Sequence, residues 1–282
     1  MTVYLNGDFL PLAEARIPVL DRGFIFGDGV YEYVPVYSRK PFRMREHLGR
    51  LQASLDSIRL ANPLDETGWA QRIHTLIAAQ DFDDQALYIQ ITRGVAPRDA
   101  AFPANTSPTV FMMCSPLVPP SPALKAAGVN AITAVDNRWL RCDIKSVSLL
   151  ANVLLRQQSV DANCAETILL RDGYLTEGSA SNIFVVQAGV VLAPPKSNLL
   201  LSGITYDLVL ELAAQHGLPH EVRPISEAEV RSADELWMTS SSKEVLPIVR
   251  LDGKAVGEGK PGPMALRMDA LYQQFKMDVM RA

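Results

Sequence analysis

The sequence is poor in the residues that build metal centres and cross-linked folds. Its 282 residues include three cysteines, Cys114, Cys142 and Cys164, and four histidines, His47, His74, His216 and His220. Three is an odd count, and the cysteines are widely spaced. They argue against a disulfide framework or a zinc cluster and read as reduced thiols in a cytosolic protein. The histidines form no HExxH or similar ligand set, so no metal is expected. An excess of one charge is also missing. Lys and Arg total 27 against 31 Asp and Glu, a formal net charge of -4 with no basic block, which argues against nucleic acid as the main partner. No apolar run approaches the roughly 20 residues that cross a bilayer. The opening MTVYLNGDFL has no basic stretch followed by an apolar one, so no secretory signal is expected and a cytoplasmic location is. There is no internal repeat and no low-complexity tract.

What is present fits a soluble globular protein. Hydrophobic residues make up 48% and charged residues 21%, enough to bury a sizeable core. At roughly 150 residues per domain the length suggests two domains or one large α/β unit. The run 115-SPLVPPSPALKAAG-128 holds four prolines, which oppose both helix and ladder formation. It predicts an N-terminal α+β domain over 1–117, a linker over 118–128 and a C-terminal domain over 129–282. In the first, Asn6-Gly7 signals a two-residue hairpin. Leu48, Leu51, Leu55 and Ile58 form a helical stripe, and a helix near 66–80 turns Trp69, Ile73, Leu76 and Ile77 inward. Residues 86–92 alternate as a strand with Leu87, Ile89 and Ile91 on one face, and 109–114 read as a short buried strand. In the second, 129–135 read as a strand and 146–163 as a helix. Asp172-Gly173 and Ala188-Gly189 turn hairpins, 203–216 form a helix stopped at Gly217, strands fit 235–240 and 245–250, and a terminal helix fits 263–278.

Five segments carry candidate chemistry, each with an ordinary structural reading beside it. Lys145, flanked by Ile144 and Val147 where a strand-like segment meets a helix, is either a partly desolvated amine able to attack carbonyls or a solvated lysine. Glu177 precedes Gly178, Ser179, Ser181 and Asn182, small residues that let backbone approach a flat ligand, or simply a polar turn. Gly203, Ile204 and Thr205 open a helix with free N–H groups, a phosphate cradle or an ordinary cap at Ser202. The hydroxyl run Thr239, Ser240, Ser241, Ser242 adds possible phosphate donors or is a loop. In 21-DRGFIFGDGVYEYV-34, glycines precede a strand with Tyr31 and Tyr33 on one face; Gly27-Asp28-Gly29 is not GxGxxG, so no dinucleotide fingerprint is present. Arg93 and Arg98 lie in a loop where arginine forks suit carboxylates, or are solvated. Together these are the parts that a phosphorylated pyridine aldehyde needs: an anchoring lysine, an acid for the ring nitrogen, phosphate donors and a carboxylate clamp.

The segments DRGFIFGDGVYE, TRGVAPR, RWLRCDIKSVSLL, TEGSASNIF and SGIT, in this order, resemble the class IV pyridoxal-phosphate aminotransferases, and most closely the bacterial D-amino acid aminotransferases. The resemblance runs nearly end to end. It implies a two-domain fold of α/β (α+β) class, a small α+β N-terminal domain and a larger C-terminal α/β domain with pyridoxal 5'-phosphate in the cleft, and a homodimer. It implies transamination of D-amino acids such as D-alanine with a 2-oxo acid such as 2-oxoglutarate. Branched-chain L-amino acid or (R)-amine transamination, an aminodeoxychorismate lyase, or a non-catalytic cofactor-binding scaffold are the alternatives. Carried over by position, Lys145 matches the lysine that anchors the cofactor and Glu177 the carboxylate facing the pyridine nitrogen. Arg50, Ile204, Thr205 and Ser241 match phosphate contacts, while Tyr31 and Arg98 match the trap for the substrate carboxylate. Two positions depart from the pattern. Ala100 stands where a trap histidine is usual, and Tyr33 where a small aliphatic residue is, so the Tyr33 hydroxyl is a candidate replacement donor on the substrate side.

Overall fold

The computed structural model describes residues 1–281 and divides the chain into two compact units. Unit one comprises Met1–Val118 together with Ile144–Leu149, and unit two comprises Pro119–Asp143 with the remainder of the chain.

Unit one is an antiparallel sheet backed by two helices. Its strands are β1 (Thr2–Leu5), β2 (Asp8–Pro11), β3 (Gly29–Tyr37), β4 (Lys40–Pro41), β5 (Gln85–Thr92) and β6 (Thr109–Pro116), in the order β2-β1-β6-β5-β3-β4. A short helix α1 (Arg22–Phe26) precedes β3, and α2 (Met44–Ser57) and α3 (Glu66–Ala78) follow β4. Asn6 and Gly7 take positive φ at the β1–β2 turn, as a two-residue hairpin requires. Alternation places Val30, Val34, Leu87, Ile89 and Ile91 on one face, where they pack against Leu51 and Leu55 of α2 and Trp69, Ile73, Leu76 and Ile77 of α3.

Unit two is a mixed sheet. It contains α4 (Pro122–Ala127), β7 (Val129–Val135), α5 (Leu150–Asp161), β8 (Glu166–Arg171), β9 (Tyr174–Gly178), β10 (Asn182–Gln187), β11 (Val190–Ala193), α6 (Ile204–Gln215), β12 (His220–Val222), α7 (Glu227–Arg231), β13 (Glu235–Ser240), β14 (Glu244–Leu251), β15 (Lys254–Ala255) and α8 (Pro263–Phe275). The strand order is β12-β11-β10-β13-β14-β7-β8-β9, with β15 beside β14. Ala188 holds φ +48° in the β10–β11 turn, a conformation unfavourable for alanine, while its N–H donates to Asp234 Oδ2 at 2.7 Å.

Two local expectations are corrected. The four-proline run does admit a helix. Ser121 caps α4 by accepting from Leu124 N at 3.1 Å, and Pro122 stands in the first turn, where its missing N–H would have had no partner. The helix expected from 146 starts only at Leu150, because the preceding backbone bonds to β3: Tyr31 N donates to Lys145 O at 2.9 Å and Val147 N to Gly29 O at 3.1 Å. Hydrogen bonds committed to a strand are withheld from a helix.

Candidate active site

In unit one the backbone pairing just described, with an isolated bridge between Val30 and Ser146, fixes where Lys145 stands. Its N–H donates to Ser54 Oγ of α2 at 3.2 Å. Its Nζ lies 4.2 Å from the centre of the Tyr31 ring, so these two residues come together. Tyr31 in turn neighbours Tyr88, ring centres 5.6 Å apart. Tyr33 pairs directly across from Tyr88, and burial raises both phenols, that of Tyr88 to about 12.

Next to this lies a buried charge cluster of which the sequence reading singled out only Arg50. Glu32 is in phase with Val30 and Val34, so its carboxylate enters the face that packs on α2. Arg50 grips it through two bonds, Nε to Oε1 and Nη2 to Oε2, both 2.8 Å. His47 Nδ1 sits 2.8 Å from Oε2. Burial alone would raise the Glu32 carboxyl, but the Arg50 charge and these bonds hold it well below the usual range. Burial lowers the His47 pKa, and a neutral ring with its proton on Nδ1 would donate to Glu32. Its Nε2 is buried and unpartnered among the described residues. The signal for Glu32 was present in VYEYV: an acid at the inward phase of an alternating strand.

Arg98 is exposed on the loop after β5, its guanidinium 5.4 Å from the Phe26 ring centre. Ala100, on the same loop, is exposed too.

In unit two, Glu177 lies near the end of β9 and is buried. Its Oε1 accepts from Arg138 Nη1 at 2.5 Å, and its Oε2 accepts from Leu201 N at 3.1 Å and Asn182 Nδ2 at 3.3 Å. Arg138 is shared, because its Nε and Nη2 bond Asp136 at 2.9 Å each. Asp136 also takes Arg171 at 3.0 Å and the Thr176 hydroxyl at 2.9 Å, and despite burial its carboxyl is drawn down to about 2. Burial pushes Glu177 up to about 7, against the pull of Arg138. Asp136 adds to that rise by its own negative charge.

Glu166 holds the loop after Glu177. It accepts from the hydroxyls of Ser179 and, at 2.6 Å, Ser181, and from the Ser179 N–H at 3.0 Å. The small hydroxyl residues of TEGSASN therefore serve a buried acid on the preceding strand β8, a partner that local pattern could not reveal.

The start of α6 has the character of an anion site. Gly203 is its cap, not Ser202, and no side chain caps the helix end. The first N–H groups of a helix have no partner within it. Thr205 Oγ1 and Thr239 Oγ1 are buried without a partner among the described residues. A Cβ at Gly203 would collide with Asn182 Oδ1, so glycine is required by close approach. Asn182 is the register partner of Thr239, which brings the two hydroxyl-bearing elements to one place. Ile204 is buried beside Thr205, and Ser241 is half-buried in the turn between β13 and β14. Two orphaned hydroxyls at an uncapped twelve-residue helix suit a phosphate monoester, and a buried acid that stays basic suits a protonated ring nitrogen.

Residues 29–251 match the family model described as Amino-transferase class IV. The chain belongs to the class IV aminotransferase family. Among relatives, it is 38% identical over 273 residues to a D-alanine aminotransferase of Bacillus licheniformis, covering 97% of this chain and 96% of that one. It is 36% identical to a D-alanine aminotransferase of Staphylococcus aureus (strain MW2), covering 97% of each. Among solved structures of the family, a branched-chain amino acid aminotransferase of Escherichia coli superposes with a TM-score of 0.90 at 25% identity, over 99% of this chain and 94% of that one. A T.th. branched-chain amino acid aminotransferase with pyridoxamine 5'-phosphate gives 0.90 at 26%, over 97% and 93%.

Proposed function

We propose that the protein transaminates D-amino acids such as D-alanine with a 2-oxo acid such as 2-oxoglutarate, using pyridoxal 5'-phosphate. The observation that carries the cofactor reading is the combination in unit two of a buried, basic Glu177 with the unpartnered hydroxyls of Thr205 and Thr239 at the uncapped start of α6. The D-amino acid reading is supported by higher identity to D-alanine aminotransferases, 38% and 36%, than to branched-chain enzymes, 25% and 26%.

When bound, pyridoxal phosphate supplies an electrophilic carbonyl and a ring that accepts electrons. Lys145 is the anchoring amine, and its Nζ is the group that takes and returns the substrate Cα proton. Glu177 would hold a proton at the ring nitrogen by offering its carboxylate. Ile204, Thr205 and Ser241 would donate to the phosphate, and Arg50 would add positive charge. Arg98 and Tyr31 receive the α-carboxylate, and Tyr33 supplies the donor that Ala100 lacks.

We assign the working form to a homodimer and the location to the cytoplasm. Solvent-exposed apolar residues on both units support an assembly: Phe24 is 71% exposed, and Leu150 of α5 is 72% exposed beside Val153 and Leu154. Among the described residues no helix is long and apolar enough to cross a membrane.

A panel of amino donors in both enantiomers tests the reading. Turnover of D-alanine with 2-oxoglutarate, and none of L-leucine or L-valine, is expected. The reverse preference would move the protein to the branched-chain reading, and pyruvate released without an amino acceptor would point to a lyase.

A further inference from the structure

The loop that carries Arg98 has no regular secondary structure of its own, and most of its side chains, Arg98 among them, are exposed. Its backbone is nevertheless pinned by one buried residue. Arg22 reaches it from α1 and donates to three consecutive carbonyls, with Nη1 on Asp99 O at 2.5 Å and Ala101 O at 3.3 Å, and Nη2 on Ala100 O at 3.4 Å. Arg22 is 3% exposed.

The guanidinium is itself anchored. Its Nε bonds Asp28 Oδ2 at 2.7 Å, and the same oxygen takes Arg93 Nε at 2.8 Å. Arg93 continues to Ile58 O at 2.8 Å and Arg59 O at 3.3 Å, beyond the end of α2. The far end of the loop closes on this second arginine, since the Phe102 ring centre lies 3.8 Å from the Arg93 guanidinium and 4.8 Å from that of Arg59. Phe26 completes the hub, with Arg22 4.8 Å from its ring centre and Arg98 5.4 Å. Burying two arginines on one carboxylate oxygen is costly unless their donors find partners. Here the Nη donors of Arg22 are spent on the carbonyls of one exposed loop.

We propose that Arg22, held by Asp28 and Arg93, is the positioning residue of Arg98. It fixes the three peptide units after Arg98 and so aims a guanidinium on an exposed loop at the substrate carboxylate. This rests on the reading of Arg98 as the carboxylate clamp.

The test uses the holoenzyme and two amines. D-alanine has the α-carboxylate and ethylamine lacks it, so the ratio of their half-reaction rate constants, followed by the cofactor absorbance, reports carboxylate recognition separately from general damage. Arg98→Ala is the benchmark. Arg22→Lys keeps the charge beside Asp28 but loses the fork that reaches three carbonyls. We expect it to raise the KM for D-alanine about tenfold with kcat within about twofold and the ethylamine rate constant unchanged. Phe102→Ala, at an exposed position, is expected to raise the same KM by about threefold. Because Arg22 acts through Arg98, adding Arg22→Lys to Arg98→Ala should cost nothing further. Losses that add, or fall equally on both amines, overturn the positioning role, as does an unchanged KM in the Arg22 and Phe102 variants when Arg98→Ala raises it. An unchanged KM in Arg98→Ala overturns instead the reading of Arg98 itself. If Arg22→Lys fails to fold, Phe102→Ala alone and combined with Arg98→Ala decides by the same criteria.

Discussion

Two buried glutamates, each bonded to an arginine, sit at opposite ends of the carboxylate range. Glu32 has Arg50 through two bonds plus the His47 N–H, and it is held well below the usual value. Glu177 has one bond from an Arg138 whose other donors go to Asp136, and burial pushes it up to about 7. Burial is nearly the same, so the difference lies in how many bonds the arginine gives the carboxylate, two to Glu32 and one to Glu177. A carboxylate gripped by an arginine through two bonds is an anchor. One that shares its arginine with a second carboxylate stays basic, ready for a cationic partner. Glu32 thus fits a structural role behind Arg50, and Glu177 a role at a ring nitrogen.

The contrast can be broken at several levels. The largest effect belongs to the anchoring amine. Lys145→Ala should lower turnover by on the order of 10⁴-fold or more, with unchanged circular dichroism. Glu177→Gln keeps size and hydrogen bonding but not charge, and should cost on the order of 10²-fold or more in kcat. Glu32→Gln should leave kcat within about tenfold while weakening cofactor retention, measured by equilibrium dialysis, because Arg50 loses the partner that orients it. If the two glutamine variants lose kcat equally, the division of roles is wrong.

Subtler changes sharpen it. Asp136→Asn leaves Arg138 with Glu177 as its full counter-charge, so the Glu177 carboxyl of the cofactor-free protein should titrate below about 7, read by infrared or NMR. An unchanged value would mean that burial alone sets it. The smallest effect is on stability. Because the folded value of Glu177 lies above its ordinary 4.5, its contribution is full below pH 4.5 and is lost as pH rises through about 7. Cofactor-free wild type should therefore lose a few degrees of Tm relative to Glu177→Gln between pH 4.5 and pH 8. Glu32 is depressed, so its contribution is present above pH 4.5 and lost as pH falls below that, and Glu32→Gln should close the gap to wild type only in acid.

Much of the fold was legible because it rests on local periodicity. The stripe of α2, the inward face of α3 and the alternation of β5 were visible in residue spacing, as were the hairpins at Asn6-Gly7 and Asp172-Gly173. The start of α5 was not, because the competing hydrogen bonds come from β3, far upstream in the chain. The candidate residues Lys145, Glu177 and Thr205 were suggested by motif resemblance, not by spacing. The long-range pairings around the candidate residues were hidden. Arg138 meets Glu177 across 39 residues of chain and Arg22 meets Asp99 across 77, and no local pattern encodes such pairings. Glu32 is the exception, since an acid among inward valines is a mark that alternation alone can reveal.

The most direct test of the account is chemical. The purified holoenzyme is treated with borohydride, digested and mapped. The account predicts one pyridoxyl label, on the peptide containing Lys145, and its absence in Lys145→Ala. A label on any other lysine, or no label on a protein that still turns over D-alanine, would contradict it.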